Sequence, residues 1–346
     1  MYQISTSLTL GEGCPAMIID ATLTVNGEHL SDIPFKFVDE SKWGRRSPLR
    51  VIGEGYETPP EGVELTWVSV LERKAYHAQI GFDKSALKEL LDTPSPHERP
   101  LFTDLVITIA HGGKVAVWLH GILKQIRLHW AAAEEIALEE LFPDDDLQND
   151  SIDKWCDEYL SECSDEERSR LNSLDALPFD RMMTQYCYRL MPLMEHWQPG
   201  EAEWQHPADD EENVPVVDHI YISRHDGTHH KLADDTLTRH HMAGRPERIA
   251  MAWHAGKNEW SAHLWLDEEL TASIFERLYG THRDTRVDLI LHFDPIQRHY
   301  ELALFRYGMT QPQLLPPECW QIIVFKDQFE HYRSENYNQP SDAWRW

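Results

Sequence analysis

The sequence has few cysteines, and their arrangement argues against two common kinds of scaffold. Five cysteines are spread over 346 residues (Cys14, Cys156, Cys163, Cys187 and Cys319), and none belongs to a C-x-x-C pair. A disulfide framework normally uses an even set of cysteines, and a structural zinc site usually needs such a pair. We therefore expect a chain that folds in a reducing compartment, and we place it in the cytoplasm.

Long apolar runs are also missing. No stretch approaches the roughly 18 to 20 apolar residues that a membrane-spanning helix needs. The first residues, MYQISTSLTLGEGC, lack the basic start and the apolar core of a secretory signal. We therefore expect neither a secretory signal nor a membrane partner.

Basic residues are too few to balance the acidic ones. The chain has 32 Lys and Arg against 59 Asp and Glu, which gives a formal net charge of −27. Nucleic-acid binding depends on Lys and Arg that neutralise phosphates, so nucleic acid is not an expected partner. An acidic field attracts basic proteins and speeds their encounter, although acidity can also serve solubility alone.

No catalytic motif occurs in the sequence. It contains no G-x-S-x-G elbow, no dinucleotide fingerprint and no H-E-x-x-H pair. The segment His111-Gly-Gly-Lys114 resembles part of a phosphate-binding loop, but its glycines separate two predicted strands and no Ser or Thr follows the lysine. We therefore expect a protein that is not an enzyme and that has no cofactor.

A group of histidines is the candidate metal site. Together with Asp218 or Asp226, imidazoles could bind a transition metal. The spacing, however, is typical of a hairpin, in which adjacent side chains point to opposite faces. We favour histidines on surface strands and loops, and we assign no metal ligand. Six histidines fall within 23 residues: His219, His225, His229, His230, His240 and His241.

What the sequence does contain is an internal repeat at an offset of 184 residues. Residues 76–110 align without a gap with residues 260–294, and five of the 35 positions are identical. Each copy has an alternating strand, an aspartate suited to cap a helix (Asp83 or Asp267), a short helix and two further strands. Asn26-Gly27 and Asp226-Gly227 predict a hairpin upstream in each copy.

These patterns predict an α+β fold. It consists of two related, mainly antiparallel β-sheet modules with short helices, joined by an acidic helical segment. The predicted boundaries are 1–133 for the first module, 134–213 for the acidic connector and 214–346 for the second, diverged module. We further predict that residues 131–141, 151–163, 164–174 and 179–197 are helices.

The acidic segment is the predicted partner-binding surface. Residues 134–175 carry 16 acidic and three basic side chains, and a second acidic run follows at 201–212. Solvated acidic runs of this kind are suited to contact with a basic protein surface. The candidate partner-binding residues are Asp144, Asp145, Asp146, Asp153, Asp157, Glu158, Glu162, Asp209, Asp210, Glu211 and Glu212.

Two segments of the first module resemble the signature of a bacterial family of unknown function. They are the W-x-S-x-x-E-x-K-x-Y pattern that begins at Trp67 and the G-G-x-V-x-V-W-L-x-G pattern that begins at Gly112. The resemblance covers about residues 50–135. The second module keeps the tryptophan and the hairpin but lacks the glycine pair and the E-x-K spacing. Many members resemble small lipoproteins, and this sequence differs from them because it has no lipoprotein signal.

Members of this family are similar to immunity proteins encoded beside Rhs and type VI secretion toxins. The resemblance therefore implies an immunity role. Our first hypothesis is that the chain binds a cognate polymorphic toxin and occludes its active site, and the sequence does not choose between a nuclease and an ADP-ribosyltransferase as the toxin. Two alternatives stay open. One is a metal-dependent hydrolase that reverses the modification made by a toxin, and the other is a general adaptor or chaperone.

Overall fold

The computed structural model of the chain divides into two compact units, Met1–Phe179 and Asp180–Trp346. The division falls inside the range 134–213. The structure describes the chain except for residues 1, 3, 12, 31–38, 41–42, 45–50, 53–57, 95–99, 142–147, 166–167, 170–178, 194–215, 233–238, 256, 295–298 and 335–346. No helix within the described residues is long and apolar enough to cross a membrane.

The first unit contains two sheets. One sheet has the order β10-β9-β8-β1-β4, with β5 paired to β1, and the other has the order β11-β7-β6-β2-β3. The strands are β1 (Ser5–Leu10), β2 (Ala16–Val25), β3 (Glu28–Leu30), β4 (Asp39–Glu40), β5 (Val51–Ile52), β6 (Gly62–Ser69), β7 (Lys74–Gly81), β8 (Asp104–Ala110), β9 (Lys114–His120), β10 (Lys124–Ala132) and β11 (Glu134–Ile136). The helices are α1 (Lys84–Leu91), α2 (Leu138–Leu141), α3 (Gln148–Glu162) and α4 (Phe179–Met182), of which α4 ends in the second unit.

The core of the first unit lies between these two sheets. Alternate residues of each strand point to one face, so Leu65 and Trp67 of β6 and Leu105 and Ile107 of β8 meet in one buried cluster. Leu87 of α1 joins the same cluster. The first unit is therefore a β-sandwich in which a single short helix closes part of the core.

The outer face of the second sheet is covered by the acidic helix α3. Val68 and Ala75, which are paired across β6 and β7, pack with Ile152 and Cys156 of α3. Ile152 is 3% exposed and Cys156 is 0% exposed. Because these two residues are four positions apart, they form an apolar stripe on one side of the helix, and the acidic residues occupy the other side.

The second unit repeats the two-sheet arrangement. One sheet has the order β15-β12-β18-β19-β20, and in the other β14, β13, β16, β17, β21 and β22 are paired in succession. The strands are β12 (Gln185–Leu193), β13 (Val216–Arg224), β14 (His229–Leu232), β15 (His241–Gly244), β16 (Pro246–Ala255), β17 (Asn258–Leu266), β18 (Val287–Asp294), β19 (His299–Arg306), β20 (Gln313–Leu314), β21 (Trp320–Lys326) and β22 (Phe329–Arg333). Helix α5 (Glu268–Tyr279) follows β17, and a short 3-10 helix spans Pro317–Cys319.

The predicted repeat is confirmed in its strands, caps and turns. Asp83 accepts hydrogen bonds from the backbone N–H groups of Ser85 and Ala86, and Asp267 accepts one from Leu270. The repeat also extends to the first strands, because β1 pairs in parallel with β8 and β12 pairs in parallel with β18. Its two copies differ on the outer face, where the paired positions equivalent to Val68 and Ala75 are the exposed polar residues His254 and Glu259.

The prediction of an α+β fold is wrong. Of the residues that the structure describes, 54% lie in strands and 18% in helices, so the fold is β-rich. The predicted helix 179–197 is helical only at Phe179–Met182 and continues as strand β12, in which Tyr186, Tyr188 and Leu190 are buried at every second position. Its last residues, 194–197, lie outside the described residues. The predicted helix 131–141 consists of the end of β10, strand β11 and one helical turn. In β12 the period of two and the aromatic side chains favour a strand over the helical spacing of its apolar residues.

Candidate functional site

The exposed side of helix α3 carries the acidic residues that the structure describes from the predicted partner-binding set. Asp153, Asp157, Glu158 and Glu162 are all exposed. Asp153 and Asp157 are one helical turn apart, as are Glu158 and Glu162, so each pair forms a row along the helix. The other predicted residues, Asp144, Asp145, Asp146, Asp209, Asp210, Glu211 and Glu212, lie outside the described residues.

Arg73 holds this helix against the sheet. It lies in the turn between β6 and β7 and forms ion pairs with Asp153, at 2.9 Å, and with Asp157. The hydrogen bonds that Arg73 donates to Asp157 and Asp153 raise its pKa above the ordinary value. All three side chains are well exposed to solvent, so water screens the attraction and these pairs orient the helix more than they stabilise it.

The acidic side of helix α3 is open to solvent. A shallow surface depression is lined by Asp153, Lys154, Asp157, Glu158 and Ser161. Lys154 lies 3.8 Å from Glu158, at a distance where solvent weakens the attraction. The helix therefore presents a negatively charged strip whose backbone is fixed by the apolar contacts of its opposite side.

The signature residues of the first unit form a separate polar cluster. Glu72 accepts hydrogen bonds from the Gly112 backbone N–H, at 3.0 Å and 3.1 Å to its two oxygens, and from the Tyr76 hydroxyl at 3.0 Å. Burial opposes ionisation of Glu72, but hydrogen bonds with His111, Ser69, Gly112 and Tyr76 outweigh that effect and lower its pKa to about 2. Glu72 is therefore an ionised carboxylate that clamps the turn between β8 and β9.

His111 connects this clamp to a third segment. Its Nε2 lies 2.9 Å from the carbonyl oxygen of Gly13, and its Nδ1 lies 3.7 Å from a carboxylate oxygen of Glu72. Burial alone would lower the pKa of His111, but contacts with Cys14, Glu72 and the Gly13 carbonyl raise it to about 10. The histidine is thus a partly buried cation that ties the loop before β2 to the two turns.

Gly113 completes the cluster for a steric reason. Its φ is +65°, and a Cβ atom at this position would lie 2.6 Å from the Tyr76 ring. Its neighbour Gly112 also has a positive φ, of +69°, but a Cβ atom added to Gly112 would have no atom of another segment within 4 Å. The glycine pair therefore forms a hairpin turn and leaves space for an aromatic ring. The interpretation of residues 111–114 as a turn rather than a phosphate loop is confirmed.

Sequence reasoning did not assign roles to Arg73, Glu72, His111 or Cys14. Apart from the Tyr76 hydroxyl, which is four positions from Glu72, the bonds of these residues to Gly112, Asp153 and Gly13 span 40, 80 and 98 positions. No local pattern connects residues that are so far apart. Glu72 could have been identified from the W-x-S-x-x-E-x-K-x-Y pattern, because its place in that pattern distinguishes it from other surface carboxylates. Nothing in the sequence distinguishes Arg73 from other arginines.

The histidine group is distributed over several structural environments. His240 Nε2 lies 2.9 Å from Asp288, and His241 Nε2 lies 3.3 Å from the Arg224 guanidinium. His229 and His230 are adjacent in β14, so they point to opposite faces of the sheet. Within the part of the chain that the structure describes, no three His, Cys, Asp or Glu side chains are placed to hold a metal ion.

Comparison with known proteins finds one similarity, and it covers the region that contains the two signature segments. No curated protein and no solved structure matches the chain. One family model matches, and it is described as a protein of unknown function (DUF2931). The match spans residues 12–172, which is slightly less than half of the chain, and it ends before the second unit begins. The first unit is therefore similar to DUF2931 in the region that contains both the signature cluster and helix α3.

Proposed function

We propose that this chain is an immunity protein, which binds a basic toxin through the acidic side of helix α3 and blocks its active site. The observation that carries the proposal is the construction of the helix. Its apolar stripe is buried at Ile152 and Cys156, and its other side presents Asp153, Asp157, Glu158 and Glu162 to solvent. A fixed row of carboxylates is suited to a fixed row of Lys and Arg on a partner.

Charge supports the same proposal at longer range. With a net charge of −27, the chain attracts a basic protein over a distance of several ångströms before contact. Such attraction mainly raises the association rate and sets the orientation of the complex, whereas buried contacts supply most of the affinity. The proposed partner therefore has a basic active-site cleft, as expected for a nuclease or an ADP-ribosyltransferase that acts on nucleic acid or its binding proteins.

The finer part of the proposal concerns the origin of the partner. The basis for naming a secreted polymorphic toxin of the Rhs or type VI secretion kind is the resemblance of the segments that begin at Trp67 and Gly112, since DUF2931 itself is a family of unknown function. The direct test is to produce the full chain together with the toxin domain encoded by the adjacent gene. We expect the two proteins to co-purify and the cells to survive. Cell death without a complex would contradict the proposal.

Substitutions on helix α3 test the surface itself. The double change Glu158→Lys and Glu162→Lys leaves the contacts of Arg73 intact, and we expect it to lower the association rate about tenfold at low salt. The double change Glu28→Lys and Glu89→Lys is the matched control, because it alters the net charge equally at exposed positions of the same unit outside helix α3. Equal effects of the two variants, measured by stopped-flow association, would show that helix α3 is not the binding surface.

A further inference from the structure

Strands β17 and β21 of the second unit border a small cleft on the outer face of their sheet. Glu259, Ser261 and His263 occupy every second position of β17, on the side of the strand that faces away from the core. The cleft has a volume of about 220 Å³. Sites for drug-sized ligands enclose about 300–1,000 Å³, so this cleft is suited to a single ring. Six residues line it: Glu259, Trp260, Ser261, His263, Phe325 and Gln328.

Aromatic rings form one wall of the cleft. The imidazole of His263 stacks on Trp265, with 6.0 Å between the ring centroids and 25° between the planes, and it meets the edge of Phe325 at 5.8 Å. The Arg248 guanidinium lies over Trp265, with its Cζ 5.4 Å from the ring centroid. Its Nη2 donates to Nδ1 of His263 at 2.8 Å, since a guanidinium can only donate. These contacts fix the orientation of the His263 ring.

Polar groups form the rim of the cleft. The backbone N–H of Glu259 donates to Oδ1 of Asp327 at 2.9 Å, and the backbone N–H of Asp327 donates to the carbonyl oxygen of Glu259 at 2.7 Å. These two bonds attach the turn between β21 and β22, which contains Gln328, to the beginning of β17. The rim thus presents the carboxylate of Glu259, the hydroxyl of Ser261 and the carboxamide of Gln328. Together these groups both donate and accept hydrogen bonds.

The charges around the cleft favour a neutral ligand. Burial and, to a smaller extent, the Arg248 guanidinium lower the pKa of His263 to about 4, so its ring is uncharged at neutral pH. The same surroundings disfavour a cation bound beside this ring, and the carboxylate of Glu259 disfavours an anion. Residues of both signs line or flank the cleft in equal numbers, with Asp218, Glu259, Asp327 and Glu330 acidic and Arg248, Lys257, Lys326 and Arg333 basic.

We propose that this cleft binds a sugar ring. A neutral sugar carries no charge, and its hydroxyl groups both donate and accept hydrogen bonds, as the groups of the rim do. Its C–H face packs on the ring of Phe325, while Glu259 accepts hydrogen bonds from its hydroxyl groups. The site lies wholly in the second unit and uses no residue of helix α3, so it is independent of the proposed toxin-binding surface.

Saturation-transfer NMR on the full chain tests this proposal. The sugars D-glucose, D-galactose, D-mannose and N-acetyl-D-glucosamine are each mixed with the protein, and the saturation that passes from the protein to the sugar is measured. We expect at least one sugar to receive saturation, most strongly at the C–H protons of one ring face. No transfer to any of these sugars would overturn the proposal. Transfer to butylammonium instead would show that the cleft is a cation site.

Two pairs of variants connect the response to the cleft. We expect Phe325→Ala to weaken the Kd of the responding sugar at least about tenfold, because it removes the aromatic wall. Phe329→Ala is its matched control, since Phe329 is 79% exposed on the neighbouring strand β22 and does not line the cleft. We expect Glu259→Gln to weaken the Kd about fivefold, because a carboxamide accepts hydrogen bonds less strongly than a carboxylate. Glu269→Gln, exposed on helix α5, is the control for this change.

Kd values for Phe325→Ala and Glu259→Gln that equal those of their controls would overturn the proposal, because the sugar would then bind elsewhere. The comparison of Glu259→Gln with Glu269→Gln decides the question alone if Phe325→Ala does not fold, since both glutamates are exposed.

Discussion

Arg189 donates two hydrogen bonds to Asp288 across a parallel strand pair, from Nε to Oδ1 at 2.6 Å and from Nη2 to Oδ2 at 3.2 Å. The equivalent pair in the first unit, at the same register, is Ser5 and Asp104, and there a serine hydroxyl bonds to the buried carboxylate. The two copies thus retain an aspartate at one position of the framework and supply it with different partners.

The Arg189 pair is expected to contribute measurably to stability. The side chains are 18% and 16% exposed, so removing Arg189 leaves a poorly solvated carboxylate. We expect Arg189→Ala to lower the free energy of unfolding by about 1.5–3 kcal/mol, the usual value of hydrogen bonds to a charged group. Arg286→Ala, at an exposed position nearby, should change it by less than about 0.5 kcal/mol. Urea unfolding of both variants provides the measurement, and equal losses would contradict the assignment.

The partly buried cation His111 predicts a stability that falls in alkaline solution. Its pKa is raised from an unfolded value near 6.5 to about 10, so its contribution is complete below pH 6.5 and is lost as the pH rises through 10. A shift of this size corresponds to about 5 kcal/mol, and because solvent reaches part of the ring and screens its contacts, we expect a smaller loss, on the order of 3 kcal/mol. Hydrogen exchange of strands β8 and β9 between pH 6.5 and 10, corrected for the intrinsic rate, reports the opening of this region. His111→Gln should remove the pH dependence, and a slope that persists in this variant would refute the role of His111.

The two glycines of the β8–β9 turn permit a matched comparison. Gly113→Ala places a methyl group against the Tyr76 ring and also requires a left-handed backbone, whereas Gly112→Ala requires only the left-handed backbone. We expect Gly112→Ala to cost about 1 kcal/mol and Gly113→Ala a further 1–3 kcal/mol. The double variant with Tyr76→Leu should recover part of the additional loss. Calorimetric unfolding distinguishes the two, and similar values for both alanine variants would show that the contact with the ring is unimportant.

The docking of helix α3 depends on its apolar stripe. Ile152→Ala removes a side chain that is 3% exposed, and we expect a loss of about 2–4 kcal/mol in the stability of the first unit. Ile122→Ala is the control, because Ile122 is 72% exposed and its truncation removes little buried area. Protection of the helix against limited proteolysis is the readout. A helix that remains fully protected in the Ile152 variant would contradict this account of its attachment.

The repeated strands, helix caps and turns could be predicted from the sequence because their signals are local. Alternating residues such as Ala78 and Ile80, and caps such as Asp83, act within a few positions. The strand β1 was not predicted, because its buried side chains include Ser7 and Thr9. Thr9 is accommodated by Thr108, whose hydroxyl lies 2.7 Å away, and this partner is known only once the fold is known.

The candidate binding surface was predicted in part. The acidic character of helix α3 follows from composition, but its attachment does not. Arg73 reaches Asp153 over 80 positions of sequence, and the outer face of the sheet that receives the helix is specific to the first copy. In the second copy the paired residues His254 and Glu259 occupy that face, so an identical framework does not imply an identical covering element.

Residues of the signature pattern form the clamp around Glu72, so they are engaged in contacts within the fold. Tyr76, Gly112 and Gly113 contact one another or Glu72, and none of them is left to meet another molecule through those groups. A signature of this kind reports a shared architecture. Proteins that carry it are expected to inherit the same sandwich and to diverge freely in what they recognise, since recognition can change on helix α3 without disturbing a single residue of the signature.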